Sequence, residues 1–240
     1  KKDGKEFTLD LIKPYASNKG TGKLTIETSF NLGVSVPSIY AAYEARVQSN
    51  TKKTWRPKEQ IKAGEKFLTL DEDNHIVESE KFKDYWKENT GDTDLTVLQG
   101  ALHFGRIASM FQGLMMIQKY NEVNNGSINF HDVFRNWSGG CIIRSQILDE
   151  ILSDISKGLS NSATYFYTYL HAYHRKAIPI INIALSYSIP LPVLSSSLNW
   201  YLNLSTEDNP SNLIQAQRDF FGRHKVQLVN SDEDVNIDWD

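Results

Sequence analysis

Asp94–Tyr120, DLTVLQGALHFGRIASMFQGLMMIQKY, is the stretch on which the fold turns. Leu95, Leu98, Leu102, Ile107, Met110, Leu114 and Ile117 recur at spacings of three to five, so a helix gathers them on one face while a strand would divide them between two. Gly100, Gly105 and Gly113 lie inside this run and each costs about 1 kcal/mol relative to alanine. Close packing of another helix is expected to compensate.

Toward the C-terminus the helical signals continue. Ser127–Trp137 and Arg144–Ile155 predict helices on either side of the Gly139-Gly140 break. In Ser162–Ile189, the residues Phe166, Leu170, Tyr173, Ala177, Ile181 and Ala184 trace a face through Pro179, which should kink the helix or split it. Pro190 and Pro192 close that element and open Val193–Leu204. Asn209-Pro210 offers an N-cap and a first-turn proline for a last helix running to Phe221, with Gly222 as its left-handed terminator.

Toward the N-terminus, Thr25 is the expected N-cap of a helix that stops at Gly33. A second helix follows Pro37, with Ile39, Ala42, Tyr43 and Val47 facing inward and Glu44 and Arg46 elsewhere around its axis. Residues 50–93, rich in Lys, Glu, Asp and Asn, read as a surface excursion with a short helix near Glu80–Glu88 and a turn at Asp71–Asn74. No alternating strand pattern survives past the N-terminal stretch, and no short-period repeat is present. The predicted fold class is all-α, a single multi-helix domain.

Composition narrows the function. The 240 residues, 40% hydrophobic and 23% charged, are ordinary globular material. A formal net charge of -3 argues against a nucleic-acid-binding surface spread over the protein, so any anion site must be local. The single cysteine, Cys141, forms no internal disulfide, and no apolar run approaches the roughly 20 residues that span a bilayer. The opening KKDGKEFTLD lacks the apolar core of a signal peptide. These features favour the cytoplasm and no membrane partner. With no initiating Met, and Lys1 and Lys2 leading directly to Phe7, Leu9, Leu11 and Ile12, the start reads as lying within a longer protein.

Two places carry anion-binding chemistry. In Lys19-Gly20-Thr21-Gly22-Lys23, glycines let backbone N–H groups converge while lysines and a hydroxyl add donors, although this is not a Walker A spacing. A plain flexible loop before a helix is the bland alternative. In Asn212–His224, NLIQAQRDFFGRH, Arg218 lies one turn before Gly222 and His224 just beyond it, so a turn at Gly222 could bring a guanidinium fork and an imidazole to one side. The bland alternative there pairs Arg218 with a carboxylate and buries Phe220 and Phe221. Arg46 alone reads as a snorkelling arginine. His171 and His174, at i and i+3, lack a third ligand at metal spacing, so no metal is expected, and Cys141 has no histidine partner for nucleophilic work.

Five segments taken in order resemble one family. NKGTGKLT (Asn18–Thr25), LGVSVPSIYAAYEAR (Leu32–Arg46), WSGGCIIRSQIL (Trp137–Leu148), AIPIINIALSYSIPLPVLSSSLNWYLNL (Ala177–Leu204) and NLIQAQRDFFGRH are similar to the C-terminal helical domain of the decarboxylating 6-phosphogluconate dehydrogenases. The resemblance implies that Lys19, Thr21 and Arg46 bind the phosphate of 6-phosphogluconate. It implies that Arg218 and His224 are given to the neighbouring subunit of a homodimer, and that the tail Lys225–Asp240 reaches that partner. Residues 1–224 would then be the substrate-binding and dimerisation domain, with 50–93 its variable part.

The resemblance also implies an NADP-dependent enzyme of the pentose phosphate pathway. Its N-terminal Rossmann domain and the helix carrying the catalytic lysine and glutamate have no counterpart in these 240 residues, so no residue here is assigned as catalytic or cofactor-binding, and the chain is expected to be inactive alone. Ser138 stands where the family usually has arginine. A non-catalytic assembly or regulatory protein that kept the helical dimer core is the competing class.

Overall fold

Helices dominate the computed structural model, which describes residues 8–55, 68–70, 76–78, 80–91, 95–141, 143–156 and 162–239. In order these are a 3-10 turn (Thr8–Leu11), α1 (Thr21–Leu32), α2 (Pro37–Trp55), β1 (Leu68–Leu70), β2 (Ile76–Glu78), α3 (Glu80–Thr90), α4 (Thr96–Asn124), α5 (Phe130–Ser138) and α6 (Gln146–Ser156). Then follow α7 (Ser162–Ser186), α8 (Pro192–Ser205), α9 (Ser211–Gly222), β3 (Val226–Gln227) and β4 (Asp234–Val235). The chain divides into two compact units, Lys1–Tyr201 and Leu202–Asp240.

The first unit is built on α4 and α7. Gly100 meets Lys176, His103 lies 5.8 Å from Tyr173, and Phe111 stacks on Phe166 at 5.3 Å, so the two long helices run antiparallel. Ala101, Phe104, Ile107, Ala108 and Leu114 of α4 are buried against Phe166, Leu170, Ala177, Ile180 and Ile181 of α7. Phe134 of α5, Leu148 and Ile151 of α6, and Trp200 and Tyr201 of α8 complete this core. Each such large side chain contributes about 1.5–3 kcal/mol on burial. Inside it sits one uncharged polar pin. Gln112 of α4 accepts from the Ser38 N–H at 3.0 Å and donates to the Ser38 hydroxyl at 2.8 Å, and that hydroxyl meets Ser197 of α8 at 2.7 Å. With each side-chain polar atom partnered, the pin costs little and ties α2, α4 and α8 together.

The α4 glycines serve different ends. A Cβ on Gly100 would run into the Lys176 side chain and one on Gly105 would lie 3.4 Å from Leu194, but Gly113 faces open space. Close packing therefore explains the first, touches the second and leaves the third without a packing reason.

Several boundaries differ from the sequence expectation. Helix α1 begins at Thr21, with Gly20 at φ 91° as its N-cap; Thr25 lies inside and turns its hydroxyl back to the Thr21 carbonyl, the usual fate of a mid-helix threonine. Its end is as expected. Gly33, at φ 66°, donates to Phe30, and the following Val34 N–H reaches Ser29, closing a Schellman turn. Burial on α2 centres on Ser38 and Ala41, with Ile39, Ala42 and Tyr43 only half-buried and Val47 exposed. Helix α7 continues through Pro179, because apolar packing of the adjacent Ala177, Ile180 and Ile181 outweighs one missing hydrogen bond.

Two short antiparallel ladders were not foreseen: Leu68–Leu70 pairs with Ile76–Glu78, and Val226–Gln227 with Asp234–Val235. Two or three residues per strand are too few to show period-2 alternation. The predicted turn at Asp71–Asn74 lies outside the described residues, whereas the short helix appears as α3, held on α7 by Tyr85, whose hydroxyl donates to Ser186 at 2.8 Å. Among the described residues no helix is long and apolar enough to cross a membrane.

Candidate functional site

Lys19 and Thr21 sit at the positive end of α1. The first backbone bond of the helix runs from Leu24 N to Gly20 O at 3.0 Å, so the N–H groups of Thr21, Gly22 and Lys23 precede the helical ladder, and Gly20 has no side chain to cap them. Gly20 needs its left-handed φ to turn the chain into the helix. The second lysine, Lys23, is turned to Glu27 at 3.4 Å in an exposed i,i+4 pair worth little, while Lys19 is exposed and directly precedes Gly20.

Helix α2 brings Arg46 to the same neighbourhood through two contacts. Gly22 packs on Tyr43, where a Cβ would lie 3.5 Å from the ring, and Arg46 follows Tyr43 by three residues, about one turn. The segment leading into the loop is strapped down as well. Ala16 donates its N–H to Ser49 Oγ at 2.9 Å and accepts at its carbonyl from Asn50 Nδ2 at 2.7 Å. Ser49 and Asn50 in turn donate to the Arg46 carbonyl at 2.7 and 3.1 Å, and the Arg46 side chain is exposed. A helix N-terminus, a lysine, a hydroxyl and a guanidinium thus lie on one pair of strapped elements, a donor set suited to an oxyanion.

The second unit carries Arg218 and His224. The N-cap of α9 is Pro210 and not Asn209 as expected; Asn209, one residue outside, accepts from the Ser211 N–H at 2.9 Å. The terminus is different. Gly222 is the last helical residue, and the left-handed residues are Arg223 (φ 50°) and Lys225 (φ 62°). Glycine matters at 222 for another reason: a Cβ there would lie 2.7 Å from Cδ2 of the His224 ring, which would have to move. The imidazole therefore folds over the helix end, on the face that carries Arg218 four residues earlier. Arg218 donates to Gln215 Oε1 at 3.0 Å rather than to a carboxylate. Phe220 and Phe221, 57% and 83% exposed, are not core.

Asp219 organises this unit and was missed in the sequence. It is 1% exposed, and its carboxylate accepts from Lys225 N at 2.8 Å, Ile237 N at 2.9 Å and Trp239 Nε1 at 3.0 Å. Burial alone would raise its pKa, but the Ile237, Trp239 and Lys225 donors, with the Arg223 charge, hold it below the ordinary carboxylate range. The only available signal was its place one turn from both Gln215 and Gly222.

Other features stand apart. A cavity of about 810 Å³ opens beside α4 and the start of α8, lined by Leu98, Leu102, Gly113 and Leu191 among others, with Arg106 and Arg144 its charged walls. None of Lys19, Thr21 and Arg46 lines it. His171 Nδ1 meets the Tyr201 hydroxyl at 3.0 Å and His174 Nδ1 the His171 carbonyl at 2.7 Å, and no group of three or more metal-ligating side chains occurs among the described residues. Ser138 keeps a buried hydroxyl without a hydrogen-bond partner.

These elements define an all-helical domain with cations gathered at a helix N-terminus and at a second helix's end. Residues 1–239 match the family described as 6-phosphogluconate dehydrogenase, C-terminal domain, and the chain belongs to that family. It is 31% identical to the decarboxylating 6-phosphogluconate dehydrogenase of Synechococcus elongatus, over 96% of this chain and 46% of the relative. The corresponding protein of Lactococcus lactis is 28% identical over 99% and 47%. Among solved structures, the Plasmodium falciparum 6-phosphogluconate dehydrogenase, determined in its apo form and with NADP+ or 6-phosphogluconate, aligns at TM-score 0.72 and 26% identity, covering 98% of this chain and 48% of that one. The chain thus spans about half the length of the relatives it matches.

Proposed function

We propose that this chain is the substrate-phosphate-binding and dimerising part of an NADP-linked, cytoplasmic 6-phosphogluconate dehydrogenase of the pentose phosphate pathway. The observation that supports the reading is the strapping of Ala16, just ahead of the Lys19–Thr21 loop, to the helix bearing Arg46, which ties together the elements that carry two cations and the N–H groups of α1. Arg218 and His224 are the donors lent across a homodimer. The apolar side chains on the outside of the second unit, Leu213, Ile214, Phe220 and Phe221, support a covering partner subunit, since clusters of this kind on a surface mark contact sites.

The reaction of the complete enzyme would oxidise 6-phosphogluconate at C3, release carbon dioxide from the keto acid and protonate the enediol to ribulose 5-phosphate. NADP would take the hydride. Among the described residues there is no strand–helix–strand unit with a glycine-rich turn to hold a dinucleotide, so its binding and the acid–base groups fall to the rest of the enzyme. This chain's residues hold and orient the phosphate end and turn nothing over by themselves.

Calorimetric titration tests the site. Lys19→Ala, which removes one charged donor, should weaken 6-phosphogluconate binding about 10–100-fold while leaving gluconate nearly unchanged. Equal losses for both ligands would sink the phosphate assignment. Mixing the chain with a separately produced cofactor domain and following NADPH formation separates the enzyme reading from an assembly-only protein, which would stay silent.

A further inference from the structure

Gln215, Arg218, Asp219 and Gly222 occupy positions i, i+3, i+4 and i+7 of α9 and share one face, over which the turn Arg223–Lys225 folds back. That turn is costly. Arg223 and Lys225 are both left-handed without being glycine, and such backbone persists only where its surroundings hold it. Lys225 is held at both main-chain atoms. Its N–H donates to Asp219, and its carbonyl accepts from Gln215 Nε2, which also reaches the His224 carbonyl at 3.5 Å. The other end of the same amide, Oε1, accepts from Arg218 Nη1 at 3.0 Å.

We infer that Gln215 is a positioning residue that locks Arg218 and His224 into one preassembled anion-binding unit. An amide is planar and has distinct ends, so setting Nε2 against the turn carbonyls aims Oε1 at the guanidinium. Reversing the amide would oppose NH2 to guanidinium and oxygen to carbonyl, so one orientation satisfies both arms. Asp219 holds the turn but touches neither donor side chain; Gln215 alone among the described residues is hydrogen-bonded to Arg218 and to the turn that carries His224. Preassembly matters because an exposed arginine otherwise loses rotamer freedom on gripping a ligand.

This role rests on reading Arg218 and His224 as phosphate donors, and the test keeps the two apart. In the 240-residue chain, Gln215→Ala should weaken 6-phosphogluconate binding about tenfold, the loss of two ordinary hydrogen bonds, while gluconate affinity changes by less than about twofold. The His224 ring resonances of the ligand-free protein should shift, a readout independent of phosphate. Gln215→Glu keeps an acceptor for Arg218 but no donor for the turn; it should shift His224 like alanine and recover part of the affinity. Arg218→Ala is the control. If it leaves 6-phosphogluconate binding intact, the site reading fails; if it weakens binding and Gln215→Ala does not, the positioning role alone is overturned. Unmoved His224 resonances in both Gln215 variants overturn it too, and should the alanine variant misfold, the glutamate variant carries the same readout.

Discussion

The two units differ in what they bury. Lys1–Tyr201 closes over aromatic and aliphatic side chains, and among its described residues the buried polar groups are neutral: Ser29, Ser38, Gln112 and Ser197. In Leu202–Asp240 the only buried residue among those described is Asp219, a carboxylate, while the large apolar side chains lie outside. A segment this short cannot enclose enough apolar surface to stay folded by that means alone. A charge ringed by donors can replace a core there, because a carboxylate accepts several hydrogen bonds from one point and each is stronger than a neutral one. The first unit is therefore sensitive to volume, and the second to a single proton.

That contrast can be broken experimentally. Phe166→Ala removes the ring against which Phe111 and Phe134 stack and should cost about 3–5 kcal/mol, read as a large fall in the thermal midpoint. Gln112→Leu keeps the volume but leaves the buried Ser38 N–H without its acceptor, at about 1–3 kcal/mol in denaturant titration. A neutral outcome would show that the pin adds nothing.

Acidification should act on the second unit first. The folded-state pKa of Asp219 is depressed, so its contribution is present above the unfolded value of about 4 and is lost as pH falls through the lower, folded value. Hydrogen exchange at Lys225 and Ile237 should therefore quicken below about pH 4 ahead of α4 and α7. Asp219→Asn should reproduce this at neutral pH, and Trp239 fluorescence would report the released tail. The smallest effect is expected of Gly222→Ala. It should leave the melting curve within about 1 kcal/mol yet displace the His224 ring, visible in its resonances.

Helix content was legible because α4 and α7 are long enough for a 3.6-residue pattern to repeat. What escaped was decided by single contacts. Thr25 has the chemistry of a cap, but Gly20 turns the chain into the helix five residues earlier. Gly222 was read as a left-handed residue, when its lack of a side chain makes room for an imidazole. Pro179 suggests a kinked or a split helix, and α7 runs through it unsplit. For the site, Lys19 and Thr21 stood out by pattern, whereas Arg46 looked like any exposed arginine until its helix was placed. Asp219 looked like an ordinary surface acid, since its partners are mostly main-chain N–H groups from a tail up to twenty residues away.

The strap at Ala16 carries one more consequence. Because α2 grips that residue solely by its N–H and carbonyl, almost any amino acid could stand at position 16, and a comparison of homologous sequences would score the site as freely variable. Proline is the exception, having no N–H to give Ser49. The constraint on the loop is thus written one helix away, in the short polar pair Ser49-Asn50, and at position 16 only as the exclusion of a single amino acid.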